Sequence, residues 1–138
     1  MKFSAKAEYG CLAVIALAQQ RSGTGLVRVR EIAETYHIPE RYLVQILLQL
    51  KAAGLVHSMR GSSGGYRLAR DPAQISLGEI LGLIDGLGAP LREISGPGAE
   101  ALASVWQRLQ ALERNFLDRI TIAQLVDHAL PQPQDWVI

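Results

Sequence analysis

The stretch from residue 31 to residue 68 constrains the fold of this chain more than any other. It reads EIAETYHIPERYLVQILLQLKAAGLVHSMRGSSGGYRL, which predicts a helix, a tight turn, a second helix and a short hairpin with a glycine-rich tip. This order is typical of a winged helix-turn-helix, a unit that places one helix in the major groove of DNA. We therefore expect a mainly α fold with a small β-hairpin wing.

Local signals set the limits of the two helices. The first is predicted over residues 28–36, and residues 37–39 form the turn because a residue before proline disfavours helix. Pro39 suits the first position of the second helix, which should run to about Ala53 and end at Gly54 in a left-handed cap. Apolar residues at steps of three and four predict the face of this helix that packs in the core: Leu43, Ile46, Leu47 and Leu50.

The tip of the hairpin is basic and rich in glycine. Three glycines and two serines lie between the strand candidates 55–59 and 66–69, with Arg60 at the edge. Such a tip beside a recognition helix is placed for contact with phosphates or with the minor groove. A nucleotide-binding phosphate loop is the competing interpretation of RGSSGG. However, no GK[ST] follows, and the loop joins two strands rather than opening a helix.

Charge is divided unevenly between the two halves of the chain. Residues 1–72 carry ten Lys and Arg against five Asp and Glu, whereas residues 73–138 carry four against eight. A basic half that coincides with the helix-turn-helix predicts a polyanion on one side of the molecule, with ordinary surface variation as the plainer alternative.

The N-terminus bears on where the protein is located. Lys2 and Lys6 precede the apolar run CLAVIALA, as in a signal peptide, but Glu8 interrupts the basic region and the helix-turn-helix starts soon after. No apolar run approaches the roughly 18 residues that cross a bilayer. We expect a cytoplasmic protein.

A helix on each side completes the predicted winged domain, residues 1–85. The first should span residues 4–20 with Ser4 as its cap, and it contains the chain's one cysteine, Cys11. A redox-sensing thiol is one interpretation of Cys11. We favour a small core residue, because an apolar site raises the pKa of a thiol. After the wing, Ser76 and Glu79 predict a capping box on a helix that ends near residue 86.

Residues 86–98 hold four glycines and two prolines and predict a linker loop before a C-terminal part, residues 99–138. A long helix should start at Ala99. It carries a heptad-like apolar seam: Leu102, Val105, Leu109, Leu112 and Phe116, flanked by Trp106. The seam either packs on its own domain or pairs with its copy in a dimer. We favour dimerisation, because the winged unit supplies its own core.

A second capping box is predicted from Thr121 and Gln124, which implies a break after the long helix. A short helix should then run to about Ala129. The remaining residues form a tail that Trp136 could dock.

The residues now assembled identify a resemblance to the Rrf-two (Rrf2) family of bacterial transcription regulators, which includes the IscR, NsrR and CymR types. It covers nearly the whole chain and is carried by AEYGCLAVIALA, EIAETYHIPERYLVQILLQLKAAGLV and above all SMRGSSGGYRLARDPAQISLGEI. The resemblance implies a homodimeric winged-helix protein, usually a repressor, that binds partly palindromic operators. It assigns the major groove to the second helix of the pair and the minor groove to a wing arginine. On this sequence those roles fall to Glu40, Arg41, Tyr42 and Gln45, and to Arg60 with Ser62 and Ser63.

Two departures from the family pattern matter. Val44 stands where well-known members place a glutamate that reads bases, which leaves the operator sequence open. Iron–sulphur members carry three cysteines in the loop and at the start of the long helix, whereas residues 85–106 here contain none. A cluster needs several thiolate or imidazole ligands close together. Because Cys11 is alone and the histidines fall in three different elements, we expect no cofactor of the family type; the histidines are His37, His57 and His128.

A sequence-specific DNA-binding regulator is the leading hypothesis. Its affinity would depend strongly on salt through basic side chains that neutralise phosphates: Arg28, Arg30, Arg41, Lys51, Arg60 and Arg67. A winged-helix adaptor that binds another protein is the alternative. The regulatory signal could come from a partner protein, as in the CymR type, from a small ligand beside the long helix, or from oxidation of Cys11. An enzyme is disfavoured, since the sequence offers no nucleophile–base set, paired carboxylates or metal-ligand spacing.

Overall fold

The winged helix-turn-helix predicted from residues 31–68 is present in the computed structural model, which describes residues 3–20, 25–86 and 90–130. A 3-10 turn at Pro72–Gln74 joins the wing to the next helix. Within the described ranges the helices and strands are, in order, α1 (Ala5–Gln19), α2 (Val29–Tyr36), α3 (Glu40–Ala52), β1 (Val56–Met59), β2 (Gly65–Leu68), α4 (Leu77–Asp85), α5 (Ala99–Asp118) and α6 (Ile122–Val126). The predicted fold class, mainly α with a hairpin wing, is confirmed.

The predicted start of α1 and the predicted end of α3 are confirmed, but the predicted start of α3 is one residue too early. The hydroxyl oxygen of Ser4 accepts a hydrogen bond from the backbone N–H of Ala7 at 3.0 Å and begins α1. Gly54 follows α3 with φ +79°, a left-handed conformation that favours glycine. The placement of Pro39 in the first helical position was wrong. Its ψ of 124° is extended, so Pro39 is the N-cap residue and Glu40 begins the helix.

The core lies beneath α3. Its predicted apolar stripe, from Leu43 to Leu50, is fully buried and forms one cluster with residues of α1, α4 and α6. Ile122 of α6 is also fully buried in that cluster. By its packing, α6 therefore joins the winged unit, and α5 is the segment of residues 99–130 that leaves it.

The wing is an antiparallel hairpin whose register pairs Val56 with Leu68 and Met59 with Gly65. Val27 extends the pairing, because it exchanges two backbone hydrogen bonds of 2.8 Å with Tyr66. A Cβ atom on Gly65 would lie 2.6 Å from the carbonyl oxygen of Val27, so this close approach requires glycine. The hairpin is thereby fixed to the body of the domain.

Backbone hydrogen bonds join the end of α5 to the start of α4. The N–H of Leu77 donates to the carbonyl of Ile120 at 2.8 Å, and the N–H of Ile122 donates to the carbonyl of Ile75 at 2.9 Å. Two short backbone links thus hold the C-terminal end of the long helix against the winged unit. The direction of α5 is therefore set by the same residues that begin α4 and α6.

The two predicted capping boxes differ in outcome. Thr121 and Gln124 form a complete box at α6. At α4, Ser76 accepts from the N–H of Glu79, but the Glu79 carboxylate pairs with Arg70 instead of returning to Ser76. The helix at α6 ends at Val126 rather than near Ala129, because the chain adopts a left-handed conformation two residues later. The tail with Trp136 and residues 87–89 of the linker lie outside the described ranges.

We predict that Gly78→Ala loosens the contact between α4 and α5. A Cβ atom at this buried position would collide with the carboxylate of Asp118 and lie 3.1 Å from its backbone nitrogen. We expect the free energy of unfolding in urea titration to fall, because an overpacking cost of roughly 1–3 kcal/mol exceeds the gain of roughly 1 kcal/mol in helix propensity from glycine to alanine. In an Asp118→Ala background the same change should cost less, because the nearest atoms are gone. An equal cost in both backgrounds would contradict this account.

Across the described ranges, none of the helices combines the length and the apolar character needed to span a membrane.

Candidate nucleic-acid interface

The outward face of α3 carries the residues predicted to read bases. Glu40, Arg41, Tyr42 and Gln45 are all exposed and lie away from the buried stripe. The ring of Tyr42 also meets the ring of Tyr9 on α1 edge-on, with centroids 5.8 Å apart and planes at 90°. This contact restricts the direction of Tyr42 at the start of the recognition helix.

The turn between α2 and α3 aims the recognition helix. His37 adopts the left-handed conformation with φ 56°, and the N–H of Ile38 donates to the carbonyl of Ala33 at 2.9 Å. Ile38 is buried, so the turn is anchored in the core. The start of α3, including Glu40, therefore projects from the body at a fixed angle.

The wing places its predicted contact residues at an exposed tip. Arg60, Ser62 and Ser63 are exposed, and the N–H of Gly64 donates to the carbonyl of Gly61 at 3.0 Å to close the turn. A Cβ atom on Gly64 would collide with the carbonyl oxygen of Met59. Glycine is therefore needed at Gly64 to keep the tip this tight, with Arg60 at its edge.

The other predicted phosphate contacts are exposed as well. Arg28 is the exposed N-cap residue of α2, and Arg30 and Arg67 are exposed as well. The ammonium of Lys51 donates to the hydroxyl of Ser58 on β1 at 2.7 Å, which places a positive charge where the recognition helix meets the wing. All of the predicted DNA-binding side chains are thus exposed.

The outer face of α5 carries a row of exposed apolar side chains. Of the twenty residues of α5, only Leu117 is buried. The exposed fractions of the six predicted seam residues run from 36% to 54%: Leu102, Val105, Trp106, Leu109, Leu112 and Phe116. A contiguous apolar surface of this kind is typical of a protein–protein interface. None of these six side chains is buried against the rest of its own chain.

The candidate ligands for an iron–sulphur cluster lie apart from one another in the described part of the chain. Within the described ranges, no three His, Cys, Asp or Glu side chains lie close enough to hold a metal ion. His37 follows α2, His57 lies on β1, and His128 follows α6. Burial raises the pKa of Cys11 to about 11, with Glu8 and Asp85 adding to the effect, so its thiolate form is disfavoured. A cluster ligand is a thiolate, which is the form that burial disfavours at Cys11.

The raised pKa gives a prediction for the reactivity of Cys11. Below pH 9 its alkylation by iodoacetamide should be about tenfold slower than that of an ordinary thiol, since a pKa raised from 9.0 to about 11 lowers the thiolate fraction about 100-fold and the greater nucleophilicity of the thiolate offsets part of this. The rate should keep rising with pH up to the region of pH 11. Chain unfolded in guanidinium is the control and should react at the ordinary rate. Rapid reaction of the folded chain at pH 7 would contradict this account.

A helix-turn-helix with a basic wing, outward-facing polar residues on its second helix and further exposed cations is the architecture of a DNA-binding protein. Comparison with known proteins gives the family. The model of the Rrf2 iron-dependent transcriptional regulators matches residues 3–128, and the chain belongs to this family. The family is one of transcription regulators and not of enzymes, which confirms the expectation that the chain is not an enzyme.

Individual relatives support the same family assignment. An HTH-type transcriptional regulator of Mycobacterium tuberculosis is 42% identical over 139 residues, covering 96% of this chain and 85% of that protein. CymR of Bacillus subtilis, the global cysteine regulator of that organism, is 34% identical over 128 residues, 93% of this chain and 91% of CymR. Its structure gives a TM-score of 0.82, over 93% of this chain and 98% of that one. The structure of IscR from T. potens gives a TM-score of 0.77 at 35% identity. The match covers 99% of this chain and 97% of that one.

Two residues of the interface were missed by sequence reasoning. Leu48 is 53% exposed on the outward face of α3, and its spacing of four from Val44 was a readable signal of that position. Tyr9 supports Tyr42 from a different helix. No local pattern in the sequence announces such a contact between separate elements.

Proposed function

We propose that this transcription regulator acts in the cytoplasm as a homodimer that represses genes by binding partly palindromic operators. The observation that carries the proposal is the exposed apolar seam of α5, which is held by backbone hydrogen bonds to a basic winged unit. Pairing of two seams would bury this surface and create two-fold symmetry. Two recognition helices would then face DNA roughly 34 Å apart, one helical turn.

Each part of the surface has a role in this proposal. The start of α3 enters the major groove, where Arg41 and Gln45 have the polar atoms to bond base edges. Arg60 reaches the minor groove from the wing, with Ser62 and Ser63 on adjacent phosphates. Four further exposed cations of the winged unit contact phosphates and position the protein without reading sequence: Arg28, Arg30, Lys51 and Arg67.

We further propose that DNA binding needs no iron–sulphur cluster. The support is the lack of cysteine in residues 85–106 together with the raised pKa of Cys11. Protein purified without oxygen should contain less than about 0.1 iron and labile sulphide per chain, since a bound cluster needs several ligands close together. It should bind its operator unchanged after treatment with a chelator. Stoichiometric iron and sulphide would contradict the proposal.

Selection from random DNA duplexes by the purified protein at near-physiological salt tests the function. We expect enrichment of a motif with two-fold symmetry whose half-sites are one helical turn apart. When that motif is placed over a reporter promoter, deletion of the gene for this chain should raise expression. Weak, salt-sensitive binding with no enriched motif would overturn the proposal and favour the adaptor. A fall in expression on deletion would overturn repression alone.

A further inference from the structure

The outward face of the recognition helix carries an apolar strip beside its polar residues. Arg41, Val44, Gln45 and Leu48 follow one another at helical steps and share the side of α3 opposite the buried stripe. Val44 is half-buried, and Leu48 is 53% exposed. These two side chains are one turn apart, so they form a short apolar strip beside the polar row of Arg41 and Gln45.

The border of this strip carries three positive charges and one negative charge, the carboxylate of Glu40 one turn before the strip. Arg41 lies on the same face, Lys51 follows one turn after Leu48, and Arg60 projects from the neighbouring wing. An apolar strip with a basic border on a recognition helix is complementary to the floor of the major groove between two phosphate backbones. A helix of a partner protein would fit this face only if its own apolar strip had an acidic border that complements these cations.

The chemistry of the strip limits what it can recognise on DNA. Neither Val44 nor Leu48 has a hydrogen-bond donor or acceptor, so neither can pair with the polar edges of bases. The C5-methyl group of thymine is the apolar group that the four base pairs present in the major groove. An exposed aliphatic side chain pressed against a polar base edge would leave donors and acceptors unpaired, at a cost in affinity.

We infer that Val44 and Leu48 are specificity-determining residues that read thymine methyl groups within each operator half-site. The inference rests on the proposed function and names the sequence feature that α3 selects. The rise of the helix separates the two side chains by roughly 6 Å along α3. At 3.4 Å per base pair, they therefore address thymines about two pairs apart. Gln45 lies between them along the helix axis. It supplies the hydrogen bond to a base that fixes the position of α3 along the operator.

Replacement of thymine by deoxyuridine tests this directly, because it removes only the methyl group. Each thymine of the selected operator is changed in turn, and the Kd of the full-length protein is measured. We expect a loss of about three- to fivefold at one or two positions per half-site, the size expected for one buried methyl group. At the remaining thymines the Kd should change less than about twofold.

Three variants assign the effect to residues. Val44→Ala should abolish the sensitivity at one position, and Leu48→Ala at the other, while both variants keep their circular dichroism spectrum and thermal midpoint. Leu130→Ala is the matched control, since Leu130 is 48% exposed after α6 and outside this face. It should retain the full pattern of sensitivity.

Two results would overturn the inference while leaving the proposed function intact. The first is a selected operator that tolerates deoxyuridine at every position. The second is an unchanged pattern of sensitivity in both Val44→Ala and Leu48→Ala. Failure to select any motif would overturn the proposed function as well.

Discussion

Replacing Leu109 by glutamate is expected to convert the protein into a folded monomer that binds its operator at least about 100-fold more weakly. Leu109 is 47% exposed near the middle of the α5 seam, where pairing of two copies would surround it with apolar side chains. A carboxylate there would be buried twice per dimer, without a partner charge. Loss of the dimer removes the advantage of binding two half-sites at once, which is worth about 10²–10⁴ in affinity.

Sedimentation and operator titration measure the two parts of this prediction. Gln107→Glu is the matched control, because it adds the same charge to the same helix on an exposed position away from the seam. It should remain dimeric and bind normally. A Leu109→Glu protein that stays dimeric with wild-type affinity would contradict the assignment of α5. Since Leu109 is not part of the core, the thermal unfolding curve of the monomer should still show a cooperative transition.

Removing the wing arginine is the second large effect that we expect. Arg60→Ala should weaken operator binding by about 1–3 kcal/mol, or roughly 5- to 150-fold, if the side chain enters the minor groove. It should also reduce the slope of log affinity against log salt by about one phosphate contact. Folding should be unaffected, since Arg60 is exposed at the tip and the turn is closed by glycines.

Arg92→Ala is the control for a general loss of positive charge. Arg92 is exposed beyond the winged unit, in the linker before α5. Its removal should change operator affinity by less than about twofold, as for a surface charge outside the contact area. Equal effects of Arg60→Ala and Arg92→Ala would show that the wing contributes only its charge. Unchanged affinity in Arg60→Ala would contradict the role of the wing.

The sequence predicted the parts of the fold that local signals determine. The buried stripe of α3, the cap at Ser4, the box at Thr121 and the left-handed Gly54 all follow from spacing and residue type over a few positions. The exposed seam of α5 was also readable, because its heptad-like period is independent of the rest of the fold. These features depend on interactions within one turn of helix.

Contacts between distant segments could not be predicted in the same way. Arg70 takes the Glu79 carboxylate away from the predicted capping box, and Tyr9 supports Tyr42 from another helix. Both contacts depend on how separate elements pack, which residue spacing does not encode. The early end of α6 also has a conformational cause, since His128 adopts positive φ although it is not glycine.

Hydroxyl-radical footprinting of the protein on its selected operator tests the central claim most directly. The account predicts two symmetric sets of protected sugars, related by a two-fold axis and centred about one helical turn, roughly 34 Å, apart. Each set should come from one winged unit, with its wing over the adjoining minor groove. A single asymmetric protected segment, or uniform weak protection along the duplex, would contradict a dimeric, sequence-specific regulator.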